Sequence, residues 1–68
     1  MKLVVNGSDM DVADRVTVAD LVERVSPRRG GRGTAVALNG EVVPRGDWGT
    51  VTFSSGDRVE VLHAIGGG

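Results

Sequence analysis

Cysteine is absent from the 68 residues. That excludes disulfides, zinc–thiolate centres and any cysteine nucleophile carried by the chain itself, and it fits a reducing compartment. Aromatic residues are nearly absent too: Trp48 and Phe53 are the only ones. So few leave no aromatic–basic interleaving for stacking on RNA bases. No sign of charge dominates. Eight basic residues stand against nine acidic ones, for a formal net charge of -1, without the clustered basic excess of a nucleic-acid binder. The one basic cluster, Arg28-Arg29 with Arg32, is split by Gly30-Gly31 and reads as a solvated loop. No apolar run approaches the roughly 20 residues of a membrane span. Lys2 is followed by only Leu3-Val4-Val5, too short for the apolar core of a signal peptide. No membrane association is expected, and the expected setting is the cytoplasm.

Catalytic constellations are equally scarce. The single histidine, His63, has no partner visible in the sequence and reads as a surface or half-buried residue on a strand. Asp9, Asp11 and Asp14 have a loose metal-ligand spacing, but they lack the glycine and distal glutamate of a calcium loop. They read as solvent-facing. Asp57, after Gly56, reads as a turn-ordering residue. The Arg28–Gly33 loop has no phosphate-binding glycine spacing. No serine–histidine–acid triad is present. The chain is expected to be no enzyme, with no catalytic residue of its own, no metal and no stably bound cofactor.

What is present is a dense set of local structure signals. Sixty-eight residues suffice for one small domain, whose core would supply roughly 3–5 kcal/mol of net stability. Lys2-Leu3-Val4-Val5 reads as a strand. Asn6-Gly7 follows as a hairpin turn, since type I′ turns need positive φ at both central positions. Met10 and Val12 alternate with Asp9 and Asp11, the period of a half-buried strand. Val18, Leu21, Val22 and Val25 then form one stripe of a helix. Thr17 and Asp20 have the spacing of a capping box, and Val16 and Leu21 occupy the staple positions around it. Pro27 ends the helix. Valine is a poor helix former alone, so this stripe must pack on a sheet.

Thr34 to Leu38 is a near-continuous apolar run that suits a central strand. Asn39-Gly40 is a second turn into Glu41-Val42-Val43. Pro44 removes a ladder donor and makes that strand short or an edge. Val51-Thr52-Phe53 is a brief alternating piece, Ser54 to Asp57 a turn, and Arg58 to Ile65 the last strand. Trp48 is assigned to a satellite core, with an exposed partner contact as the alternative. The order ββ, α, ββ, β predicts an α+β fold: a mixed sheet of four to five strands covered by one main helix. The first and last strands would lie parallel at its centre, because a helical crossover permits that. This is the β-grasp layout, over residues 1–65.

Beyond it stand Gly66-Gly67-Gly68. Glycines without Cβ atoms can thread a narrow channel, and captured carboxylate termini are a known recognition mode. Residues 66–68 therefore read as a flexible tail, mobile in the free protein, whose carboxylate is the working group. The alternative is a passive tail.

Taken together, these residues resemble the ThiS family, the sulfur carriers of thiamine biosynthesis. The resemblance rests on Asn6-Gly7, on Thr17 to Leu21, and on Val36 to Arg45 with its N-G-E-x-V-P-R run and Trp48. It extends through Gly56-Asp57-Arg58-Val59-Glu60-Val61 to the terminal glycines. It covers essentially the whole length; the Arg28–Gly33 loop, unusually rich in Gly and Arg, is a departure with no assigned role.

The resemblance implies a chemistry run on Gly68. A ThiF or E1-like adenylyltransferase would use ATP to adenylate its carboxylate. A sulfur donor, a cysteine desulfurase or similar, would convert the adenylate to a thiocarboxylate. The thiazole synthase ThiG would take the sulfur. Gly66 and Gly67 would serve tail recognition. With Val59 and Val61 facing the core, alternation turns Glu60, Leu62 and Ala64 outward. Leu62 and Ile65, near the tail, and Arg45 are the candidate docking residues on a carrier that is a monomer when free. Three other readings stay open: a carrier for molybdopterin, cysteine or a specialised metabolite, a conjugating ubiquitin-like modifier, and a plain binding module.

Overall fold

The computed structural model describes residues 1–63. It contains strand β1 (Lys2–Val5), strand β2 (Ser8–Asp11), helix α1 (Val18–Val25), strand β3 (Thr34–Leu38), strand β4 (Glu41–Val42) and strand β5 (Arg58–His63). Short 3-10 turns occupy Arg29–Gly31 and Arg45–Asp47. The strands form one sheet in the order β2-β1-β5-β3-β4. The first and last strands run parallel side by side, with Val5 opposite Val59. Every other pairing is antiparallel. This is the expected β-grasp layout, with five strands.

Both Asn-Gly pairs turn their hairpins as their chemistry demands. Asn6 and Asn39 have φ of 50° and 49°, and the glycines after them 83° and 86°. Few residues other than Asn tolerate that left-handed region. The β4 pairing is confined to two residues and lies at the sheet edge, as Pro44 requires. The last strand is described as far as His63; the expected continuation through Ile65 and the tail Gly66, Gly67 and Gly68 lie outside the described residues.

The helix starts at the capping box. The Asp20 N–H donates to Thr17 Oγ1 at 3.1 Å, and the Thr17 N–H donates to Asp20 Oδ2 at 3.0 Å. The next two orphan donors are satisfied from a distant loop: Val18 N–H reaches the Val51 carbonyl and Ala19 N–H the Trp48 carbonyl, both at 2.9 Å. Residues 51–53 alternate as expected, with Thr52 exposed and Phe53 buried, but among the described residues their ladder contact is a single bridge from Thr52 to Thr17, and the Val51 carbonyl serves the helix end. Val18, Leu21 and Val22 are fully buried against Leu3, Val36, Val59 and Val61 of the sheet. Each such burial contributes about 1.5–3 kcal/mol before conformational entropy is charged. Trp48 joins this core, and its Nε1–H donates to the Val43 carbonyl at 3.0 Å.

Candidate functional site

β5 is the middle strand, and His63 at its end is the last described residue, five positions before Gly68 in sequence. Side chains alternate along it. Val59 and Val61 point into the core, whereas Arg58, Glu60 and Leu62 face away from the helix. Leu62 is 64% exposed, as its assignment to a docking surface requires. The register widens this into a patch. Ala35 lies opposite Leu62, and Ala37 lies opposite both Glu60 and Val42. Val42 is 74% exposed. The open sheet face thus carries a band of small and medium apolar side chains from β5 to β4, a feature that marks interaction surfaces.

Two devices fix the end of β5. Parallel pairing with β1 covers only Val4 and Val5 before the chain turns away. The Asn6 side chain takes over the ladder there. Its Nδ2 donates to the Val61 carbonyl at 3.1 Å, and its Oδ1 accepts from the Val61 N–H at 2.8 Å. One amide thereby replaces a strand residue across 55 positions of sequence. On the other side, His63 is held opposite Thr34, with its Nδ1 3.1 Å from Thr34 Oγ1. Thr34 Oγ1 in turn lies 3.4 Å from Ser26 Oγ.

The loop entering β3 is built as firmly. The Ser26 hydroxyl donates to the Arg28 carbonyl and accepts from the Arg28 N–H. The Gly30 N–H donates to Glu23 Oε1 at 2.9 Å. Gly31 is buried at φ 69°, where an added Cβ would fall 2.9 Å from the Trp48 ring and closer still to Val22. The Arg45 guanidinium lies 4.9 Å from the Trp48 ring centroid and donates to the carbonyls of Gly30 at 2.5 Å and Gly31 at 3.3 Å. This glycine–arginine loop, which had no assigned role, is therefore a lid over the Trp48 corner of the core.

Among the sequence-derived site residues, the structure places Leu62 on the open sheet face and Arg45 on the loop above Trp48, where it straps the fold together. Ile65, Gly66, Gly67 and Gly68 lie outside the described residues. The structural roles of Asn6 and Gly31 were not legible; the only local hint for Asn6 was its place in a hairpin turn. Asp9, Asp11 and Asp14 are all exposed. Among the described residues, no three acidic or histidine side chains converge on one point.

The sequence matches the ThiS family model over residues 3–68. The chain belongs to the ThiS family. This ThiS-family chain is 32% identical to the sulfur carrier protein ThiS of Escherichia coli K12, over the full length of both. It is 35% identical over 68 residues to a thiazole synthase of Paramagnetospirillum magneticum, where it spans only 20% of that protein's length. Its fold superposes with a TM-score of 0.81 on the crystal structure of the thiamine biosynthesis protein ThiS from Geobacter metallireducens, at 36% identity and with both chains covered completely. The solution structure of a Geobacter metallireducens thiamine biosynthesis protein gives 0.79 at 37% identity, covering all of this chain and 88% of that one. The β-grasp of this ThiS-family chain is thus the fold of its relatives.

Proposed function

We propose that this protein is a sulfur carrier of thiamine biosynthesis whose working group is the Gly68 carboxylate. The observation that carries the reading is the end-to-end match with the Escherichia coli carrier, on a scaffold whose middle strand ends five positions before Gly68 in sequence.

The chemistry starts from an inert group. A free α-carboxylate titrates near roughly 3.5 and is ionised at neutral pH, a poor acyl donor. An adenylyltransferase of the ThiF type supplies ATP. The carboxylate attacks the α-phosphorus, pyrophosphate leaves, and the acyl-adenylate carries a good leaving group. The terminal sulfur of a donor persulfide attacks the acyl carbon and AMP leaves, giving an acyl disulfide; a second thiol then attacks the donor's sulfur, forms a disulfide with it, and releases the thiocarboxylate. A thiazole synthase is the acceptor; the Paramagnetospirillum magneticum thiazole synthase, with a segment similar to this chain within its own length, supports that pairing. The carrier contributes reach and recognition, and catalytic groups and ATP belong to its partners.

Ordering Gly66, Gly67 and Gly68 in a partner's channel costs roughly 1–2 kcal/mol per residue. Contacts from the folded body must offset it. The band of exposed Leu62, Ala35 and Val42 with half-buried Ala37 is the surface that does so, with Ile65 and Arg45 as further contacts. Among the described residues no helix is long and apolar enough to cross a membrane. A cytoplasmic monomer fits this role.

The test is intact-mass spectrometry of the full chain after incubation with ATP, an activating enzyme and a sulfur donor. The expected result is the mass change for one oxygen replaced by sulfur, located at Gly68 and abolished by its deletion. Unchanged sulfur delivery after that deletion would refute the reading.

A further inference from the structure

Only Arg24 and Arg45 among the arginines make side-chain hydrogen bonds among the described residues, and three of the others share one loop. Arg28, Arg29 and Arg32 are exposed, and none makes an ion pair among the described residues. Yet the backbone that carries them is firmly held, by Ser26, Glu23, Arg45 and the buried Gly31. A loop pinned by these bonds, presenting cations that make no ion pair among the described residues, is suited to recognition.

Its position says what it recognises. β3 begins at Thr34 directly opposite His63 of β5. The chain entering β3 and the chain leaving β5 therefore lie at the same end of the sheet. Five residues separate His63 from Gly68. At roughly 3.3–3.6 Å per extended residue they reach at most about 18 Å. A partner that holds Gly68 in its active site must bring the mouth of that site close to the root of β5, and so against the arginine loop. Charge is distributed accordingly. The whole chain is slightly acidic, yet four of its eight basic residues, counting Arg45, sit on this loop or bond to it. The acid that touches the loop is Glu23, and its Oε1 is occupied by the Gly30 N–H.

We propose that Arg28, Arg29 and Arg32 form a basic collar that docks on an acidic rim around the tail channel of the activating enzyme. The inference rests on the carrier reading above and adds a specificity element to it. A protein partner is favoured over a nucleic acid because the collar is small, sits on an acidic body and has no exposed aromatic side chain for base stacking; Trp48 is buried beneath the loop. Exposed rim charges act chiefly on association rate and on its salt dependence, and three of them suffice to steer a small carrier into a channel mouth.

The test is steady-state pyrophosphate release by the activating enzyme that passes the mass assay, with the full chain as substrate at about 20 mM and about 300 mM salt. The R28Q/R29Q/R32Q variant is expected to raise KM roughly tenfold at low salt with kcat unchanged, and the gap is expected to close at high salt. R15Q, which removes a cation at the opposite end of α1, is expected to behave as wild type. The unfolding midpoint of the triple variant should match wild type, since these side chains make no ion pair among the described residues. A wild-type KM for the triple variant at low salt would overturn the inference and leave the carrier reading intact. So would tight binding of a fluorescent single-stranded oligonucleotide that the triple variant loses while its activation is unchanged. A wild-type chain that no activating enzyme adenylates would instead remove the carrier reading itself.

Discussion

Replacing Gly31 by alanine should come close to unfolding the domain, and the structure separates the reasons. Gly31 has φ of 69°, a conformation that costs an L-residue roughly 1–2 kcal/mol. Its position is also closed. The new methyl would meet the Trp48 ring at 2.9 Å and Val22 nearer still, and neither can retreat, because Val22 is 1% and Trp48 6% exposed. Overpacking of that kind costs about 1–3 kcal/mol more. The combined loss is roughly 2–5 kcal/mol, comparable with the roughly 3–5 kcal/mol available to a domain of this size. Gly40 is the control. Its φ is 86°, but nothing lies within 4 Å of the added carbon, so G40A should lose only about 1–2 kcal/mol. Urea unfolding followed by Trp48 fluorescence and by far-ultraviolet circular dichroism measures both. At about 1 kcal/mol per molar urea, G40A should move the midpoint down by about 1–2 M, while G31A should be largely unfolded without urea. If the two variants agree within about 0.5 kcal/mol, the steric argument is wrong and the arginine loop is not a lid over the Trp48 corner of the core.

Asn6→Ala removes both side-chain bonds to Val61 and leaves a non-glycine residue at φ 50°; a loss of roughly 2–4 kcal/mol is expected, and Asn6→Gly, which relieves the φ strain, should lose about 1–2 kcal/mol in the same urea assay. Arg45→Ala loses two bonds to carbonyls and the stack on Trp48, for about 1–2 kcal/mol; Arg45→Lys should recover only part of it, because a lysine lacks the planar fork. Leu62→Asp should leave the unfolding midpoint within about 0.5 kcal/mol of wild type, since the side chain is 64% exposed, yet lower sulfur transfer to the thiazole synthase roughly tenfold; a transfer rate equal to wild type would remove the open sheet face as the docking surface.

The features readable from the sequence were those set by neighbours in the chain. Asn-Gly at 6–7 and 39–40 fixed two hairpins, Thr17 and Asp20 fixed the helix start, and the valine–leucine stripe fixed which helix face is buried. Alternation in β5 correctly turned Leu62 outward and Val61 inward. What escaped was held together across distance. The Asn6 clamp joins residues 55 apart, and the lid over Trp48 combines a glycine, an arginine and two carbonyls from separate loops. Neither leaves a periodic trace. The alternation of Val51, Thr52 and Phe53 was legible and holds; that the Val51 carbonyl serves the first turn of α1 was not, since a helix end must find partners for its N–H groups wherever they lie.

The middle placement of β5 has a mechanical meaning. A load applied along β5 would act on a strand bonded on one side to β1 and on the other to β3. Such a load shears many hydrogen bonds together, whereas an edge strand could be peeled away one bond at a time. Such a strand would have to give way as a unit, held by the β3 ladder and the Asn6 clamp, rather than unravel from its end.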